Sequence, residues 1–388
     1  PFSKNTFLIL FSMKKINMVD LNGQYRKIRW QVNREIKKVI NTSSFVNGPI
    51  VKEFQNNLQE YLGVKHVIPC ANGTDALQIA LMALDLKIGD EVITTNFSFA
   101  STIEVILLLG LKPVVIDIDP RTFNINPDLI QDKISNKTKA IIPVHLFGQS
   151  CRMEEILEIS NKNNIQVIED NAQALGSKYK FSNSQKQMSG TIGDIATTSF
   201  YPTKNLGCYG DGGAILTNSD NLAYKMRGIV NHGMYERYYH DEIGVNSRLD
   251  SIQAAILNVK LKYLDKYNKK RQEAAQLYNL AFKNIEQIEV PFIESDSDSH
   301  VYHQYTLKIK NGKRDELIDH LSKNNIPFGV FYPLGFHEQK AYKQEFFSDI
   351  DFPVTNIVKN QVISLPMHTE LTKRQINFIS NTIISFFE

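Results

Sequence analysis

Between residues 64 and 218, short runs of β-branched and apolar residues alternate with segments of helical periodicity. No other feature constrains the fold as much. The runs 64–70, 91–95, 113–118, 140–146, 166–169, 196–200 and 213–217 read as strands. Several are continuously apolar, as strands covered on both faces are. Helical patterns lie between them at 75–84, 101–109 and 153–161. Such alternation predicts an α/β domain around a mostly parallel sheet. Beyond Asn246 the pattern changes. Residues 249–283 read as one long helical stretch, and 294–299 as an acidic, serine-rich loop. Residues 301–309, 313–324 and 327–332 then read as strand, helix and strand, a smaller α+β unit. The polar stretch 181–189 reads as a surface hairpin or loop.

Composition narrows the function classes. A chain of 388 residues has room for two or three domains at ~150 residues each. Its 44 basic and 41 acidic side chains leave a formal charge of +3, which gives no argument for a nucleic-acid or acidic-membrane partner. Three dispersed cysteines form neither a disulfide framework nor a CxxC metal site, so the expected metal content is none. The reducing cytoplasm is the expected compartment. No apolar run approaches the ~20 residues of a membrane span; the best are 7–11 and 105–109. Residues 1–12 precede Met13 and lack both a long apolar core and a small-residue cleavage pattern. They read as an upstream extension rather than a targeting signal.

Three segments carry chemistry. Asn72-Gly73-Thr74-Asp75 follows a strand and opens a helix. Glycine allows close backbone approach there, so the segment can cradle a phosphate at the positive helix end. Taken alone, an ordinary helix cap explains it as well. Glu169 and Asp170 end a strand, at the sheet edge where ligands bind in open α/β folds. Side chains alternate along a strand, so Asp170 is assigned to the site and Glu169 to structure. Ser199 and Lys204 lie on the next strand end and loop, followed by Gly207, Gly210, Gly212 and Gly213. A desolvated lysine loses its proton more readily and is a natural Schiff-base former.

Together the segments fit one cofactor. Pyridoxal phosphate (PLP) needs a lysine for its aldehyde, a carboxylate for its ring nitrogen and a phosphate cup, and it gains from an aromatic plate. Lys204, Asp170 and the 72–75 turn supply the first three, and Phe97 or Phe99 the plate. Asp170 stands 34 positions before Lys204, compatible with convergence at one sheet edge. His145, at a strand end in the same layer, has a site role and a structural role open to it. Cys208 reads as a small packed side chain.

From about Asp20 onward the sequence resembles the sugar aminotransferases of the DegT/DnrJ/EryC1/StrS family. The carrying motifs are CANGTDALQIAL from Cys70, VIEDNAQALGSKY from Val167, SFYPTKNLGCYGDGGAILTN from Ser199 and GVNSRLDSIQAAIL from Gly244. The resemblance implies the type I PLP fold of aspartate aminotransferase: a large domain with a mostly parallel seven-stranded sheet and a small α+β domain. It gives boundaries of 13–260 for the large domain with its N-terminal arm, and 261–388 for the linking helix and small domain. It implies that Lys204 binds the cofactor aldehyde and shuttles a proton, while Asp170 pairs with the ring nitrogen. Gln173 then lies near the phenolic oxygen, Gly73, Thr74 and Ser199 hold the phosphate, and Phe99 stacks on the ring. Asn246 and Arg248 approach from a second subunit of a homodimer, on the phosphate and substrate sides. Tyr332 and His337 belong to a loop facing the nucleotide sugar, where Gly335 and Phe336 depart from the family's Tyr-Pro-x-Pro-Leu-His pattern.

The resemblance implies ping-pong transfer from L-glutamate to a nucleotide-linked keto sugar. The branch most similar acts on UDP-2-acetamido-2-deoxy-3-oxo-glucuronate in bacterial surface-polysaccharide (O-antigen) synthesis. A dTDP-3-oxo-6-deoxyhexose is the alternative substrate. A sugar dehydratase of the same fold is disfavoured by Lys204, which such relatives replace with histidine. A regulatory relative without catalysis is disfavoured by the complete set of Lys204, Asp170, Gln173 and Ser199.

Overall fold

The computed structural model describes residues 15–342 and 352–388. The upstream extension inferred for residues 1–12 lies outside the described residues. Seven strands form the central sheet: β1 (His66–Cys70), β2 (Glu91–Thr95), β3 (Lys112–Ile116), β4 (Thr138–Ile142), β5 (Gln166–Asp170), β6 (Ile195–Ser199) and β7 (Gly213–Thr217). Their spatial order is β1-β7-β6-β5-β4-β2-β3. The pairs β2/β3, β2/β4, β4/β5 and β5/β6 are parallel; β7 runs antiparallel to both its neighbours. The sheet is thus mainly parallel, as the alternation predicted.

Successive residues bury themselves on opposite faces. Ile68, Ile168 and Ile215 join one core with Leu77 and Met226. Val67 and Leu216 join a second core with Phe54, Leu58 and Leu257, and Val167 joins a third with Ile141 and Ile156. This two-sided burial explains why the strands read as continuous apolar runs rather than as an alternation.

A three-stranded antiparallel sheet, Ile288–Glu289, Tyr305–Ile309 and Val362–Leu365, lies under helices Leu264–Phe282, Arg314–Lys323 and Lys373–Phe387. Two expectations are corrected here. The stretch 249–283 is two helices, Ser251–Leu261 and Leu264–Phe282, parted at Lys262 and Tyr263. No glycine or proline marks the break. Lys260 is instead buried, its ammonium donating to the Gly207 carbonyl, which ties the end of the first helix to the Lys204 loop. Residues 327–332 form no strand: Gly329 makes a single bridge to Ser364, and the chain then turns toward the large sheet. The polar stretch after Phe181 does close a hairpin, Lys178–Lys180 with Lys186–Met188. Among the described residues no helix is long and apolar enough to cross a membrane.

Candidate active site

A cavity of about 1060 Å³ opens at the carboxyl ends of β5 and β6. The turn at Asn72–Asp75 forms part of its wall. Asn72 is extended and caps helix Gly73–Ala83 by accepting from the Asp75 N–H at 2.8 Å. Thr74 Oγ1 lies 2.7 Å from Ser101 Oγ. A Cβ on Gly73 would stand 2.8 Å from the Ser199 Cβ, so only glycine lets the helix start approach β6 this closely. Helix start, Thr74 hydroxyl and Ser199 hydroxyl together form a concave, positive-ended cup.

The two acids at the end of β5 face different surroundings. Glu169 points away from the cavity and accepts from His145 Nε2 (2.8 Å) and from the N–H groups of Gly190, Ile192 and Gly193 (2.7 Å each). His145 Nδ1 accepts from the Cys151 N–H at 3.1 Å, which places the ring proton on Nε2. His145 is therefore a structural histidine. Asp170 faces the cavity; it accepts from Thr102 Oγ1 at 2.9 Å and the Ala172 N–H at 3.2 Å. Burial raises its carboxyl above the ordinary value, and the charge of Lys204 works against that rise.

Lys204 sits on a folded-back loop after β6. Its N–H bonds the Tyr201 carbonyl at 2.8 Å, and Asn205 ties the loop to Asn268 and Val301. The residue is partly exposed because it faces the cavity, yet protein atoms crowd its amine. That desolvation lowers the amine to about 8, against the pull of Asp170. Lys204 is thus poised to lose its proton near neutral pH.

Gln173 is oriented by a strained neighbour. Phe147, at φ 57°, donates its N–H to Gln173 Oε1 at 2.9 Å. The amide Nε2 is left toward the cavity and Tyr332 Oη, 3.5 Å away. Phe99 lines the cavity at 58% exposure, whereas Phe97 is wholly buried with its ring edge toward Tyr332. Of the two aromatic candidates only Phe99 can plate a ligand. Phe331, Tyr332, Leu334 and Phe336 supply the facing, largely apolar wall.

The structure does not bring every expected residue to this cavity. His337 is buried outside its wall: Nδ1 lies 2.8 Å from Asn96 Nδ2, Nε2 lies 3.2 Å from Asn356 Oδ1, and the ring stacks on Phe352. In this placement the ring braces the loop, and His337 is not among the residues lining the cavity. Asn246 is exposed and Arg248 half-buried, and neither lines the cavity of its own chain. Between them Ser247 turns inward, accepting from the Ala71 N–H and donating to Asp75. The departure at Gly335 has a local cause. A Cβ there would lie 2.7 Å from His337 Nδ1, and the Gly335 N–H, which proline lacks, donates to Glu338.

Sequence reasoning missed Thr102, which orients Asp170, and His303, which lines the cavity. Thr102 is the second residue of helix Ser101–Leu108, whose start the sequence pattern already gives at residue 101. His303 was hidden because 301–309 read as one strand, whereas the strand starts at Tyr305 and residues 301–304 are irregular. Among the described residues no group of three His, Cys, Asp or Glu is arranged for a metal ion.

A buried carboxylate, a lowered lysine amine, a glycine-floored cup and an aromatic plate at one sheet edge fit pyridoxal phosphate. Fold and site define a PLP-dependent enzyme of the aspartate aminotransferase type. Comparison with known proteins is more specific. The model of the DegT/DnrJ/EryC1/StrS aminotransferase family matches residues 26–384, and the chain belongs to that family. The UDP-2-acetamido-2-deoxy-3-oxo-D-glucuronate aminotransferase of Pseudomonas aeruginosa is 43% identical over 94% of this chain and 98% of its own. A pleiotropic regulatory protein of Geobacillus stearothermophilus is 42% identical over 96% and 98%. The solved NtdA of Bacillus subtilis, with bound pyridoxamine phosphate, superposes with a TM-score of 0.90 at 31% identity, over 97% of this chain and 86% of its own. The protein is a PLP-dependent sugar aminotransferase acting on nucleotide-linked keto sugars.

Proposed function

We propose that the enzyme moves the amino group of L-glutamate onto UDP-2-acetamido-2-deoxy-3-oxo-glucuronate, for bacterial surface polysaccharide. The observation that carries the reaction type is that Lys204 and Asp170 line one cavity at the sheet edge, where burial also lowers the lysine amine. The Pseudomonas relative supports the substrate. Gly73, Thr74 and Ser199 would hold the cofactor phosphate, Phe99 would cover its ring, Asp170 would hold its ring nitrogen, and Gln173 would lie toward its phenolic oxygen. Bound PLP supplies an electron sink for the carbon that loses a proton. Lys204 Nζ takes that proton from the α-carbon of the amino donor and returns one to the sugar carbon in the second half-reaction. Tyr332 and the apolar wall position the sugar nucleotide and exclude water.

The complete site is that of a homodimer. Asn246 and Arg248 flank an inward Ser247 and stand outside their own cavity, with Arg248 lightly held by Asn231 at 3.4 Å, and they would complete a partner's cavity. Phe45 and Val46, exposed beside this segment through the Val46–Asp250 bridge, extend the contact surface. The three cysteines are buried free thiols, which suits the reducing cytoplasm.

The cavity also favours a second reading. Its charged lining is Asp75, Asp170, Asp211 and Lys204, with no arginine of the same chain among the described lining residues. A 6-deoxy sugar, whose C6 is a methyl group, needs no cation there, and dTDP-linked 3-oxo-6-deoxyhexoses are the alternative substrates. Mass spectrometry of products from glutamate with each keto sugar tests the choice. Amination of the UDP-linked uronate alone is the expected result. Amination of the dTDP-linked sugar alone would overturn the first reading in favour of the second.

A further inference from the structure

His303 stands in the irregular segment before strand Tyr305–Ile309, and it lines the cavity with Lys204. It is 7% exposed, and its Nδ1 is enclosed without a hydrogen-bond partner. No other described residue bonds its ring. His145 and His300 differ from it. His145 has both nitrogens bonded, and His300 Nδ1 accepts from the Tyr302 N–H at 3.0 Å. The His303 backbone is nevertheless fixed. Its carbonyl accepts from Arg271, a Cβ on Gly148 would lie 2.8 Å from its nitrogen, and the next N–H bonds the Phe147 carbonyl at 3.2 Å. The backbone is held in place while the ring's Nδ1 is left without a partner.

The environment selects the tautomer. A buried N–H without a partner costs about 1–3 kcal/mol, and orphaned donors are rarer than orphaned acceptors. The enclosed Nδ1 therefore keeps its lone pair, and the proton sits on Nε2, the nitrogen left for the cavity. Burial and the positive charges of Lys204 and Arg271 hold the ring well below the ordinary histidine range, so it stays neutral. The cavity thus contains an uncharged N–H donor beside the reacting lysine.

We propose that His303 contacts substrate through Nε2–H, donating to the oxygen next to the carbon that gives or takes nitrogen. That oxygen belongs to the α-carboxylate of the amino donor in one half-reaction and to a hydroxyl of the keto sugar in the other. A neutral donor serves both, because it neither repels nor over-binds when a charged oxygen is exchanged for an uncharged one. The inference rests on the two half-reactions proposed above.

The test uses holoenzyme and glutamate in single turnovers followed by cofactor absorbance. His303→Phe keeps a flat ring and should raise the glutamate concentration for half-maximal rate by about 10- to 100-fold, the loss of one hydrogen bond to a charged group. Its visible spectrum and melting temperature should match the wild type. His303→Gln, which retains an N–H donor, should return to within about fivefold of wild type. An unchanged glutamate dependence with a lowered melting temperature in His303→Phe would mark a purely structural histidine and overturn the proposal. If His303→Phe fails to fold, ¹⁵N NMR of the wild-type imidazoles decides. A neutral Nε2–H ring at pH 6.5 is expected, and an Nδ1–H or charged ring would refute it. Wild-type holoenzyme inert to every amino donor would break the parent reading and this one with it.

Discussion

The two walls of the cavity are built differently. The sheet wall carries Gly73, Thr74, Asp170, Gln173, Ser199 and Lys204 on the ends of strands and helices, each oriented by a neighbour. The loop wall carries Phe331, Tyr332, Leu334 and Phe336 and is mostly apolar. Its bracing comes from behind, through His337, Asn96 and the bond from Gly335 to Glu338. The groups proposed to meet the cofactor sit where regular structure ends. Groups that only shape room for a sugar nucleotide sit on a loop, which can change without disturbing the sheet.

That contrast predicts a gradient of effects. Asp170→Asn, on the sheet wall, should lower kcat by about 10³-fold through the lost charge at the ring nitrogen. It also removes the negative charge that supports the Lys204 ammonium. Half-deprotonation of Lys204 should then fall below pH 8, read as an acid shift in the pH dependence of PLP capture by the apo-protein. An unshifted profile would uncouple the two residues. Glu169→Gln, behind the same wall, puts an N–H group among four donors. It should cost about 3 kcal/mol in denaturant unfolding while leaving the cofactor spectrum unchanged. Leu334→Ala, on the loop wall, should raise KM for the sugar nucleotide about threefold and leave the glutamate half-reaction untouched. A loss in the glutamate half-reaction equal to that of Asp170→Asn would erase the distinction between the walls.

The same division decided what the sequence revealed. Strands β2 and β7 lie at the predicted residues, because two-sided burial writes itself as unbroken apolar runs. Asp170 and Lys204 were legible because few residue types can serve at a strand end next to a glycine-rich loop. The assignment of Glu169 to structure followed from strand alternation alone, and its four donors match it. The loop wall was read less well. The family resemblance places His337 in the loop facing the sugar, while the turn at Gly335 sets its ring against Asn96 behind the wall. His303 stayed hidden because nothing in Val-Tyr-His-Gln-Tyr shows that the ladder begins only at Tyr305. The break at Lys262 and Tyr263 has no glycine or proline to announce it, and it sits beside Lys260, whose tertiary contact no local propensity encodes.

Two buried lysines sharpen the central claim. Lys204 and Lys260 are both lowered to about 8 by burial. Lys204 faces the cavity, whereas Lys260 is spent on the Gly207 carbonyl beneath the loop. Low basicity is therefore common to both and access is not. Borohydride reduction of the holoenzyme followed by peptide mass spectrometry separates them directly. The pyridoxyl group should be found on the peptide containing Lys204 and nowhere else; its appearance on Lys260, or on no lysine, would contradict the account.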